Sequence, residues 1–185
     1  MTNPDFAVAA AAAHYQRPGW VTRNVFNRLI ARLTRMGVSL WGSRVLRVRG
    51  RTSGQLRSNP VNVLTLDGER YLVSPRGQTD WVRNLRVAGT GELVVGQRVE
   101  PFTATEIVAA GQPTGPTPDV AETSDPRSAE TAGSVLTVTV LRAYLRRWQW
   151  EVGQFFDGVG PDSTDAELLA AAPKHPMFRM AAVHR

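Results

Sequence analysis

Apolar residues recur along this chain at two periods, and the changes from one to the other divide it into elements. In "WVTRNVFNRLIARLTRMG", Val21, Val25, Leu29, Ala31 and Leu33 flank a stripe that also takes Phe26, Ile30 and Met36, with Arg23, Arg28, Arg32 and Arg35 mostly opposite. That spacing predicts a helix ending near Gly37. In "RVLRVRG" the period shortens to two, Leu46 and Val48 alternating with Arg47 and Arg49, which predicts a half-buried strand. "VNVLTLDGERYLVSP" predicts two strands joined at Asp67–Gly68, a favoured two-residue hairpin turn. A short helix capped by Thr79 or Asp80 then places Trp81, Leu85 and Ala88 on one face and stops at Gly89. "ELVVGQRVEPFTATEI" predicts a second hairpin turning near Gly96–Gln97.

Residues 109–133 break the pattern. They are rich in Pro, Gly, Ser, Thr and Ala, and Val120 is their one long apolar residue, so they are expected to form a mobile insertion. The β-branched run after Ser134 predicts a strand, and Leu141, Tyr144, Leu145, Trp148 and Val152 then fall at helical spacing. "TDAE" at 164–167 is a capping box that opens a short helix stopped by Pro173, and "HPMFRMAAV" predicts a last strand. Several hairpin-linked strands with few helices indicate an α+β, mainly β protein: an antiparallel barrel with an N-terminal helix and C-terminal helices. Residues 1–19 read as a lead-in and 20–185 as a single domain.

Composition narrows the chemistry by subtraction. Without cysteine there is no disulfide, thiolate nucleophile or sulfur-ligated metal, and His14, His175 and His184 lie too far apart to suggest a metal site. No run approaches the roughly 18 apolar residues of a membrane span. The alanine tract near the start follows Asp5 and no cation, so it does not read as a signal peptide. The expectation is a cytoplasmic protein, with the basic face of residues 20–36 open to the inner face of the plasma membrane as a second reading.

The formal charge is +6, and of 22 Lys and Arg residues only Lys174 is not arginine. Arginine suits forked recognition of phosphate and carboxylate, so an anionic partner is implied. Nucleic acid is disfavoured, because the arginines are spread along the chain and the aromatic residues fall at amphipathic helical spacing. No dinucleotide fingerprint, P-loop, GxSxG elbow or paired acids appear, so if this is an enzyme the hard chemistry belongs to a bound cofactor.

Two segments offer the chemistry of one site. "GRTSGQLRSNP" supplies Arg51 and Arg57 as charges, Thr52 and Ser53 as hydroxyls, Gly54 as a tight turn, and Asn59 and Pro60 at the strand. "SPRGQTDWVRNLR" supplies Ser74, Arg76 and Gly77 at a strand end, then Trp81 and Asn84 on one helical face. Trp81 could cover a flat ring, and Asn84 could bond a ring edge or bridge to the first segment. Each segment alone reads more readily as a polar turn or a core tryptophan than as a binding site, since polar Gly-containing turns are common.

Both segments resemble the cofactor motifs of the deazaflavin (coenzyme F420)-dependent nitroreductase family. The likeness covers roughly residues 20–108 and 135–182, with "LRAYLRRWQWEVG" and "HPMFRM" similar to C-terminal segments of one subgroup. The resemblance implies a flavin-reductase-like split β-barrel binding F420, a flavin-like ring with a phosphate and polyglutamate tail. It implies hydride transfer from the reduced cofactor to a quinone, nitroaromatic or enoyl-type unsaturated substrate. Arg51, Ser53, Gly54, Arg57, Asn59 and Pro60 match the first motif, and Ser74, Arg76, Gly77, Trp81 and Asn84 the second. Thr52 stands where some members have lysine, and the spacer before Trp81 is shorter than usual. Tyr144 is the candidate proton donor or substrate-orienting group, with Trp148 as pocket wall. No metal is implied, and such barrels often form homodimers. The alternative is a non-catalytic binder of F420 or of another flat or lipid-like anion.

Overall fold

A computed structural model describes residues 43–107 and 126–183. The helix expected over 20–36, the lead-in and residues 109–125 of the expected insertion lie outside that range. The described chain runs through strands β1 (Ser43–Arg49), β2 (Leu56–Leu66) and β3 (Glu69–Val73), helix α1 (Asp80–Ala88), strands β4 (Thr90–Val95) and β5 (Arg98–Ile107), helices α2 (Pro126–Val152) and α3 (Asp165–Ala171), and strand β6 (Met177–Ala182). The six strands close an antiparallel barrel in the order β1-β2-β3-β6-β5-β4, with β4 back against β1.

The expected hairpins are present for the expected reasons. Asp67 and Gly68 both take positive φ, 51° and 80°, as a two-residue primed turn between right-twisted strands requires. Every strand sends apolar side chains inward: Leu46, Val48, Val61, Leu72, Leu93, Phe102, Phe178 and Met180 share one buried cluster with Trp81, Val82 and Leu85 of α1. Gly91 pairs with Phe102, and a methyl group there would come within 2.7 Å of the Phe102 ring, so the inward packing at this point needs glycine. The opposite faces of β2, β3 and β6 carry Leu64, Tyr71, Val73 and Met177 against Val140, Leu141, Tyr144, Leu145 and Trp148 of α2. Thr164 and Glu167 make the capping box that opens α3.

Two expectations fail in the same place. Helix α2 begins at Pro126, inside the expected insertion, and it continues through 134–140, where a strand was expected. The 126–133 stretch contains alanines and Glu130, all good helix formers, behind a proline that fits a first turn. The β-branched run is helical because burial there has a helical period: Thr137, Val138, Val140 and Leu141 are buried while Val135 and Thr139 are exposed. Tertiary packing has overridden local propensity. The helix bends at Trp148, whose φ of −130° is non-helical, and passes into a tight 3₁₀ turn at Gly153–Phe155.

Candidate functional site

The candidate site lies where β2 runs on past its pairing with β3. Strand β2 is eleven residues long, but β3 pairs only with its last four, Val63–Leu66. Over 56–62, β2 pairs with β1 alone among the described residues. Pro60, with no N–H to give, fits a stretch with one strand neighbour. After Val73 the chain leaves the sheet through Ser74–Thr79 into α1. The two sequence motifs therefore stand on either side of this opening.

One residue joins them. Asn84 is buried on α1, and its Oδ1 accepts from the Arg51 backbone N–H at 3.1 Å and from Arg51 Nη1 at 2.9 Å. Of the two roles open to Asn84, the structure shows the bridge. Arg51 Nη1 also meets Asp80 Oδ1 at 3.3 Å. The loop between β1 and β2 is closed by Gly50 N–H donating to Gln55 O and Gly54 N–H to Gly50 O, both at 2.8 Å, with Gly54 at a φ of 66°. Gln55 N–H donates to Ser53 Oγ at 3.4 Å, and Arg49 Nη1 to Gly54 O at 3.1 Å. Arg51, Thr52, Ser53, Gly54, Arg57 and Pro60 are all exposed, and Asn59 is half-buried opposite Leu46.

The second segment is a tight turn. Ser74 is fully buried; its Oγ donates to Gly77 O at 2.7 Å, and Gly77 N–H returns to Ser74 O at 3.1 Å. Gly77 has a φ of 76°, which reserves the position for glycine. Arg76 is half-buried, with its guanidinium carbon 4.6 Å from the centre of the Phe155 ring. The structure places Trp81 in the barrel core, 7% exposed and 6.0 Å from Phe178, so its ring faces apolar side chains.

Tyr144, on α2, lies on the other side of β2 and is buried there with Trp148 at 4.9 Å. Burial and then the Glu151 carboxylate push its hydroxyl above the ordinary tyrosine range, while a hydrogen bond with Asn62 partly offsets them. Asn62 Nδ2 in turn donates to Glu151 Oε2 at 3.2 Å. Such a hydroxyl keeps its proton. The sequence reading missed Asn62, His175, Phe155 and Phe156. Asn62 left a signal, a polar residue between two valines; His175 left none, because one histidine between prolines has no spacing to read.

The donor set can be tested against an anion. Arg57 and Arg76 have no carboxylate partner among the described residues, and Arg51 shares its charge with one. Exposed guanidiniums, two hydroxyls and a glycine turn fit a phosphate- and carboxylate-bearing ligand. By contrast, a shallow cleft of about 460 Å³ at the far end of β2, lined by Gly68, Glu69, Arg70 and Arg179, has its cations neutralised. There Arg70 pairs with Glu100 at 2.8 Å and Arg179 with Glu69 at 3.1 Å. No group of His, Asp or Glu among the described residues could hold a metal.

A family model described as F420H(2)-dependent quinone reductase matches residues 7–142. The chain belongs to that family. It is an F420-dependent oxidoreductase, and its cofactor is the reduced form, F420H2. No curated protein matches it. Among solved structures it is similar to one described as a domain-swapped dimer, at 15% identity, covering 87% of this chain and 97% of that one with a TM-score of 0.44. It is similar to an F420-H2 dependent reductase at 16% identity, covering 76% and 94%, TM-score 0.39. A conserved hypothetical protein from Mycobacterium tuberculosis matches at 14% identity, covering 85% and 80%, TM-score 0.40. No described helix of this F420-dependent reductase is long and apolar enough to cross a membrane.

Proposed function

We propose that this reductase holds the anionic tail of F420 between the Gly50–Gln55 loop and the Ser74–Gly77 turn, and reduces a quinone. The observation that carries the reading is the Arg51–Asn84 bridge, which ties the Gly50–Gln55 loop to the helix that follows the Ser74–Gly77 turn. Arg57 and Arg76 would fork onto phosphate and carboxylate oxygens, with Thr52, Ser53 and the Gly54 turn adding short-range donors. Asn59 and Pro60 would border the ring on β2. Bound there, reduced F420 supplies a hydride, and a quinone that accepts it needs one proton more to become the hydroquinone. Tyr144, buried on the other side of β2 with its hydroxyl held protonated, does not suit release of that proton. Nitroaromatic and enoyl substrates need the same hydride, and the family's description favours quinones among the three.

Titration with F420 against flavin mononucleotide, followed by cofactor fluorescence, tests the binding. F420 alone should bind, and absence of F420 binding at micromolar protein would sink the proposal. Mixing reduced F420 with menadione and enzyme should then reoxidise the cofactor above the enzyme-free rate. Binding without reoxidation would favour the non-catalytic alternative.

A further inference from the structure

We infer that Phe155 and His175 are positioning residues for Arg76, holding its backbone and its guanidinium without neutralising its charge. The turn at 74–77 is gripped from outside by a second set of contacts. Ser74 N–H donates to Pro176 O at 2.9 Å, and the Nδ1–H of His175 donates to Pro75 O at 3.0 Å. His175 is 1% exposed and stacks on Phe156, with ring centres 3.8 Å apart and planes 22° from parallel. The neighbouring Phe155 lies under the Arg76 guanidinium at 4.6 Å. Two consecutive phenylalanines after the bend at Trp148 thus take different tasks, one braced on the histidine that holds the Pro75 carbonyl and one supporting the arginine that follows it.

The choice of partner has a chemical consequence. Arg70, Arg86, Arg142 and Arg179 are held by carboxylates, which cancel their charge. An aromatic face attracts a guanidinium through its quadrupole and carries no net charge, so the N–H donors and the positive charge stay available to an anion. A stacked guanidinium is also pre-oriented, which lowers the ordering cost when an anion binds. This inference rests on the reading of Arg76 as a contact of the F420 tail.

The test is a double-mutant cycle on F420 affinity, read by fluorescence, with a deazaflavin truncated before its phosphate as the control. Phe155→Leu keeps apolar volume and removes the aromatic face; it should weaken F420 about three- to tenfold. Phe155→Tyr should restore the affinity to within about twofold, since the ring is retained. Affinity for the truncated cofactor should not move, and Phe155→Leu should add nothing in an Arg76→Ala background. His175→Leu should weaken F420 as well, and His175→Asn, which keeps a donor near Nδ1, should recover part of the loss. An equal loss for both cofactors, or a full additional loss on top of Arg76→Ala, would show Phe155 to be merely structural. If Arg76→Ala weakens F420 and Phe155→Leu does not, the positioning role alone falls. If Arg76→Ala binds F420 like wild type, the tail reading falls and takes this inference with it.

Discussion

At the scale of single residues, Asn84 carries the most consequence for its size. Its one oxygen accepts both Arg51 donors and is buried, so removing it strands the Arg51 backbone N–H. Asn84→Ala should cost about 1–3 kcal/mol in stability and loosen the Gly50–Gln55 loop. Asn84→Asp separates the two effects. It keeps an acceptor for both bonds, so its denaturation midpoint should lie above that of Asn84→Ala. It also places a second carboxylate beside Asp80 on Arg51, so its F420 affinity should be no better than the alanine variant's. Wild-type affinity in Asn84→Asp would remove Arg51 from the cofactor site. Residue types at motif spacing were legible in the sequence, and so was the choice offered by Asn84, between ring and loop. What could not be read was direction: Trp81 shares the helical side of Asn84 yet faces the barrel interior, because α1 buries that stripe against strands whose pairing the sequence does not print.

At the scale of elements, the hairpins and the capped helix α3 were legible because their signals are local: Asp67–Gly68 at a turn, Thr164 and Glu167 at a helix start. Helix α2 was not, since "SVLTVTVL" carries the β-branched composition of a strand and the deciding fact is the hydrophobic surface it covers on β2 and β3. The two influences still compete in this helix. Thr139 is exposed, and its Oγ1 donates to Val135 O at 2.8 Å, a back-bond that adds no contact to the core. Thr139→Ala should therefore stabilise the protein by about 0.5 kcal/mol, seen as a higher urea midpoint at unchanged slope. A lower midpoint would mean that the threonine has a packing role that its exposure does not reveal.

At the scale of the molecule, charge is sorted along the barrel. Glu69 and Glu100 neutralise Arg179 and Arg70 away from the opening. Arg47, Arg49 and Arg57, on β1 and β2 beside it, have no carboxylate partner among the described residues. With a formal net charge of +6, the field at that end should attract a polyanion before any contact forms. Salt then distinguishes a cofactor held by its tail from one held by its ring. Because the Debye length shrinks from over 10 Å below 0.1 M salt to about 3 Å at 1 M, F420 affinity should fall about tenfold or more across that range. The truncated deazaflavin should change by less than about twofold, since it has no tail charge to screen. Arg57→Gln should weaken F420 at low salt and flatten its salt dependence, while leaving the denaturation midpoint near wild type, because the side chain is exposed. Equal salt sensitivity for the two cofactors would place the binding energy on the ring, and the arginine-lined opening would then serve something other than the tail.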